Sequence, residues 1–137
     1  MKERIIYWYL TNFKLISTVL NSPVIYDQER FSWMRVERFP LPPHFTPPAT
    51  KFLLVLPGLA NIENKHKFEF YLYKNIKRLD GKSIKHFYAE GFYNPFAHKG
   101  YARFSFHVDY WKPSLNPKQG TNLLDICQAF YNFLARK

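Results

Sequence analysis

An α+β fold is the class that the sequence predicts, and three observations carry it. Residues 31–39, FSWMRVERF, alternate in character as a half-buried strand does, with Phe31, Trp33, Arg35, Glu37 and Phe39 on one face and Met34 and Val36 on the other. Five prolines then fall within residues 40–48, PLPPHFTPP. They remove amide donors and fix φ, so this stretch is neither a helix nor a central strand but a rigid connector. Near the end, Leu123, Cys127, Phe130 and Leu134 recur at spacings of four, three and four, one face of a helix. The chain has 137 residues, the size of one domain spanning 1–137 with one core.

The elements follow in order. ERIIYWYL, residues 3–10, suits a short helix ending at Thr11-Asn12, and FKLISTVL, residues 13–20, reads as a strand, with helix continuation to Leu20 as its rival. Asn21-Ser22-Pro23 is a turn signal. After the 31–39 strand and the proline connector, KFLLVLP at 51–57 is a continuous apolar run, expected of a central strand covered on both faces. GLANIENKHK breaks it, and KFEFYLY resumes strand character at 67–73. Leu79-Asp80-Gly81-Lys82 marks a turn, and residues 83–100 read as irregular. YARFSFHV, residues 101–108, is the last strand candidate, and a helix starts near Asn122, with Asp125 placed to favour its first turn. The result is an antiparallel meander of about four strands between a short N-terminal helix and a C-terminal helix packed on the sheet. Fourteen Phe, ten Tyr and three Trp weight the chain towards strands.

Charge and cysteine content narrow the function classes. Twenty Lys and Arg stand against ten Asp and Glu, a formal charge of +10. Part of it lies in residues 65–85, where Lys74, Lys77, Arg78, Lys82 and Lys85 sit near Tyr71, Tyr73, Phe87 and Tyr88. Such a face suits a phosphate backbone with stacked bases, an acidic protein partner, or a solvated edge that discourages aggregation. One cysteine makes no internal disulfide and no Cys-x-x-Cys zinc pair, which suits a reducing cytoplasm. The opening MKERIIYWYLTNFK is interrupted by Thr11, Asn12 and Lys14 too early for a signal peptide, and no apolar run approaches the roughly 20 residues of a membrane span. His44, His66, His86 and His98 are scattered without carboxylates at metal-ligand spacing, so neither a metal nor another cofactor is expected.

A further set of motifs appears in a specific order: Phe39-Pro-Leu-Pro-Pro43, LLVLP at 53–57, FEFYLY, Leu79-Asp-Gly81, Phe104-Ser-Phe-His107, Trp111-Lys-Pro113, and NLLDICQAFYNFL. Over roughly residues 30–135 this resembles the ubiquitin-conjugating-enzyme (UBC-like) fold, and more closely a bacterial branch of that superfamily. The resemblance implies a ubiquitin-like protein and a ubiquitin-activating-type enzyme as partners, with antiphage defence as a common setting. It also implies partner contacts through Pro42, Pro43 and Phe45 of the connector and through Trp111 and Pro113. Conjugating enzymes of the superfamily carry a thioester on a cysteine just before the segment leading to Trp-x-Pro. Here that window, Phe104 to Tyr110, holds no cysteine, and GLANIENKHK lacks the Tyr-Pro that follows the apolar strand in the family pattern.

The chemistry therefore turns on His107 and Cys127. As a catalyst, His107 would act as general base or acyl-accepting nucleophile, with Ser105 two residues away on the same strand face and Asp109 beyond. As structure, it would be a hydrogen-bonded histidine fixing the turn into Tyr110-Trp111. Cys127 falls in the apolar helix stripe, which reads as core. The leading expectation is a cysteine-less binding or scaffolding partner in a ubiquitin-like pathway. Acyl transfer through His107 or Cys127, and a nucleic-acid-binding domain working through residues 65–88, are the alternatives.

Overall fold

The computed structural model describes residues 2–136. It is an α+β arrangement in which two helices cover one face of an antiparallel sheet. Helix α1 spans Lys2–Leu20 without a break. Its buried positions, Ile5, Trp8, Tyr9, Asn12, Phe13 and Ile16, follow the helical repeat straight through Thr11-Asn12. The expected strand at 13–20 is thus the second half of this helix. Asn12 does not end it, because the side chain is buried and hydrogen-bonded.

Six strands form the main sheet: β1 (Val24–Tyr26), β2 (Trp33–Pro40), β4 (Ala49–Val55), β5 (Glu69–Tyr73), β7 (Phe87–Tyr88) and β8 (Tyr101–Phe104). Their order is β1-β2-β4-β5-β8-β7, and every neighbouring pair is antiparallel. A separate ribbon pairs β3 (Phe45–Thr46), inside the proline connector, with β6 (Lys77–Arg78). Registers define the two faces. Tyr26, Met34, Leu54, Phe70, Phe104 and Phe87 lie opposite one another in one row facing the helices. Ile25, Arg35, Leu53, Tyr71, Arg103 and Tyr88 form the matching row on the other face.

Two departures from simple alternation have identifiable causes. The β2–β4 register shifts between Val36 and Phe39. This irregularity brings Phe39 to the helix side, where it meets Phe52 and Phe130. Phe31 is buried too, stacked with Tyr9 at 5.4 Å, rather than lying on the outer face with Trp33. The second departure is β8, which ends at Phe104 rather than continuing to Val108. One further ladder-like bond joins the Ser105 amide to the His86 carbonyl at 2.9 Å, and Phe106 then folds back, its amide on the Phe104 carbonyl. Phe106 packs 4.9 Å from Phe70 and 4.8 Å from Phe133. The half-buried ring thereby gains apolar contacts that a continued strand would not give it.

Helix α2, Leu123–Ala135, closes the core. Asn122 accepts from the Asp125 amide while the Asp125 carboxylate accepts from the Asn122 amide, a reciprocal capping box. Leu123, Ile126, Cys127, Phe130 and Leu134 are buried. Phe130 is the hub, with ring centres 5.0 Å from Phe52, 5.0 Å from Phe70 and 5.5 Å from Phe104. Among the described residues no helix is long and apolar enough to cross a membrane.

Candidate functional site

The segment between β8 and α2 carries the residues singled out by sequence, and its path decides what they can do. Trp111 is its anchor: the indole Nε1 donates to the Ile62 carbonyl at 2.7 Å, and the ring meets Phe68 and Trp8 edge-on. Lys65 Nζ donates to the Asp109 carbonyl at 3.0 Å. Further on, the Thr121 amide donates to the Lys112 carbonyl and the Lys112 amide to Thr121 Oγ1, while Pro113 bridges Gly120. Gly120, at φ +69°, is required there, since a Cβ would sit 2.6 Å from the Lys112 carbonyl oxygen.

Held at this end, residues 106–110 and helix α2 flank a groove of about 640 Å³. Phe106, Val108 and Tyr110 line one side, and Ile126, Ala129 and Asn132 of α2 the other. Asp109, Asp125 and Arg136 add charge of both signs to its lining. The groove therefore offers apolar contact along its length together with charge, the character of a site for an extended peptide segment.

His107 lies between two groove residues but not among those lining it, and its side chain is exposed. Among the described residues no hydrogen bond joins it to Ser105 or Asp109. Because β8 ends at Phe104, those three residues do not share a strand face, and the row expected from sequence does not form. Nor does His107 fix the turn into Tyr110-Trp111, which the Trp111–Ile62 and Lys65–Asp109 bonds hold instead.

Cys127 faces the core and is 2% exposed. Burial pushes its thiol up to about 12, which disfavours the thiolate that acyl transfer through Cys127 would require.

The expected partner-binding residues divide by exposure. Pro42, Phe45 and Trp111 are buried, Pro113 is half-buried and Pro43 is exposed. The first three cannot present their side chains to a partner. Phe45 belongs to the β3–β6 ribbon and is part of the hydrophobic core. The basic cluster is likewise partly committed: Lys74 pairs with Glu90, and Arg78 makes a two-bond contact with Asp80. Lys77, Lys82 and Lys85 are exposed.

One feature of the sheet was not anticipated from sequence. Its outer face is aromatic and half covered: Leu53, Tyr71 and Tyr101 are buried there, flanked by Trp33, Val55, Tyr73 and Phe96. Residues 89–100 fold over one end, placing Phe96 edge-on to Tyr71 at 5.0 Å and Tyr93 4.0 Å from the Arg103 guanidinium. Tyr71 donates to Glu69 at 2.7 Å, and burial followed by that carboxylate raises its phenol above the ordinary range. The signal was present in the alternation Tyr101-Ala102-Arg103-Phe104, but only the strand order shows which side the helices leave open.

Compared with protein-family models, with curated proteins and with solved structures, the chain matches none of them.

Proposed function

We propose that this chain is a UBC-like protein of a bacterial ubiquitin-like modification pathway that works without a thioester, as a binding or scaffolding partner of the ubiquitin-like protein. The observation that carries the reading is the groove of about 640 Å³ between residues 106–110 and α2. It lies directly before the Trp111-Lys112-Pro113 crossing, where the resemblance implies the carrier site, and the chain has no cysteine there. The element order supports the same reading: an N-terminal helix, an antiparallel meander interrupted after β2 by a proline-rich connector, and a C-terminal helix on the sheet. The enclosure of Cys127 in the core supports it too, since a buried thiol is poorly placed to carry an acyl group. In this reading the extended tail of the ubiquitin-like protein lies against Phe106, Val108, Ile126 and Ala129 and is held, not bonded.

The test mixes the chain with a ubiquitin-like protein, an activating-type enzyme and ATP, and reads binding and covalent products separately. The expected result is saturable binding with no adduct, unchanged by His107→Ala and weakened by Ala129→Arg, which fills the groove. An adduct that disappears with His107→Ala or Cys127→Ala would instead make the protein a transferase.

A further inference from the structure

A second cavity, of about 220 Å³, opens where the C-terminal end of α2 meets β7 and the β3–β6 ribbon. Phe45, Phe104 and Phe133 give it apolar walls. Arg78, Lys85, His86 and Arg136 also line it, and among the described residues no acidic side chain does. Arg78 is matched by Asp80 through bonds of 3.0 and 2.6 Å, so the charge available to a ligand comes mainly from Lys85 and Arg136.

The wall is also conformationally unusual. His86 sits at φ +58°, a region that non-glycine residues seldom adopt. Its carbonyl takes the Ser105 amide and its ring lies 5.8 Å from Phe133. Backbone held in such a conformation clusters at ligand clamps and active sites.

Size and field select the ligand. The cavity is smaller than the roughly 300–1,000 Å³ of sites for drug-sized molecules. Helix α2 ends at Ala135, so its last carbonyls bring partial negative charge to this end. That field opposes any anion, and a dianion such as phosphate about twice as strongly as a monoanion. A single carboxylate is matched by one or two cations, and a short apolar chain attached to it by the half-buried Ile84 and Phe133.

We propose that this cavity binds a small amphipathic carboxylate, its chain against the half-buried Ile84 and Phe133 and its head towards Lys85 and Arg136. The cavity shares Arg136 with the groove beside His107 but does not rest on the conjugating-type reading.

Titration of the full chain with sodium octanoate, followed by amide chemical shifts, tests this against octanol and octylamine. Octanoate is expected to saturate shifts at residues 84–86, 104 and 133–136, and to bind about tenfold more tightly than octanol. Lys85→Glu, at an exposed position, is expected to weaken octanoate by about tenfold while leaving octanol unchanged. Arg136→Gln is the second variant should Lys85→Glu disturb the fold. Equal binding of octanol and octanoate, shifts confined to other residues, or no shift up to about 10 mM octanoate would overturn the proposal.

Discussion

Asn12 of α1 accepts a hydrogen bond from the backbone amide of Leu123, the first residue of α2, at 2.7 Å. Its Nδ2 donates to the Trp8 carbonyl, also at 2.7 Å. One helix thereby satisfies a donor that the other leaves free at its first turn. The two elements lie 111 positions apart in sequence and are tied at a buried point. Asn12→Leu is isosteric but removes the acceptor and strands the Leu123 amide. We expect a loss of about 2–3 kcal/mol, read from the midpoint of urea unfolding at unchanged slope.

Phe130 touches the rings of Phe52, Phe70, Phe104, Phe106 and Phe133, which belong to three strands, the segment after β8, and α2 itself. Phe130→Ala should cost about 3–5 kcal/mol, enough to remove much of the stability of a domain this size. Phe92, whose side chain is fully exposed, provides the matched control. Phe92→Ala should fall within about 0.5 kcal/mol of the parent in the same assay.

The contrast between these positions explains what could be read from the sequence. Helix α2 was legible because its signals are local: the Asn122–Asp125 box and a stripe ending at Leu134. The second half of α1 was not. Asn12 resembles a stop until its partner, Leu123, is brought beside it by the fold. The end of β8 was hidden for a similar reason. Phe106 continues an alternating pattern, yet the rings of Phe70, Phe130 and Phe133 draw it out of the sheet. For the site, sequence read Cys127 correctly as a buried residue of the helix stripe but did not show the groove. It also placed Pro42, Phe45 and Trp111 outside, because aromatic and proline residues serve binding surfaces and cores alike.

Asn94 holds residues 89–100 against the sheet. It is 3% exposed, its Nδ2 donates to the carbonyls of Tyr88 at 2.8 Å and Tyr101 at 2.7 Å, and its Oδ1 accepts from the Phe96 amide at 3.0 Å. Asn94→Ala is expected to lower stability by about 2–3 kcal/mol. It should also release the cover over Tyr71. Hydrogen exchange would then rise first at residues 94–101, while α2 keeps its protection. Uniform loss of protection across both regions would show instead that this segment and the core open as one unit.

Cys127 gives a prediction in pH as well as in reactivity. The unfolded thiol ionises near its ordinary value, whereas burial holds the folded one protonated up to about 12. Between these values the unfolded state binds fewer protons than the folded state, so stability is unaffected below the ordinary thiol range and falls as pH rises through it. The slope reaches about 1.4 kcal/mol per pH unit. Tyr9 and Tyr71 are raised by burial as well and act in the same direction at high pH. The Cys127 contribution is therefore the difference between the parent and Cys127→Ala, with the variant showing the shallower decline above about pH 9. In native buffer near neutrality a thiol reagent should label Cys127 about a thousandfold or more slowly than in denaturant, since access requires opening of the core. Rapid native labelling would place the thiol at the surface and return thioester chemistry to this protein.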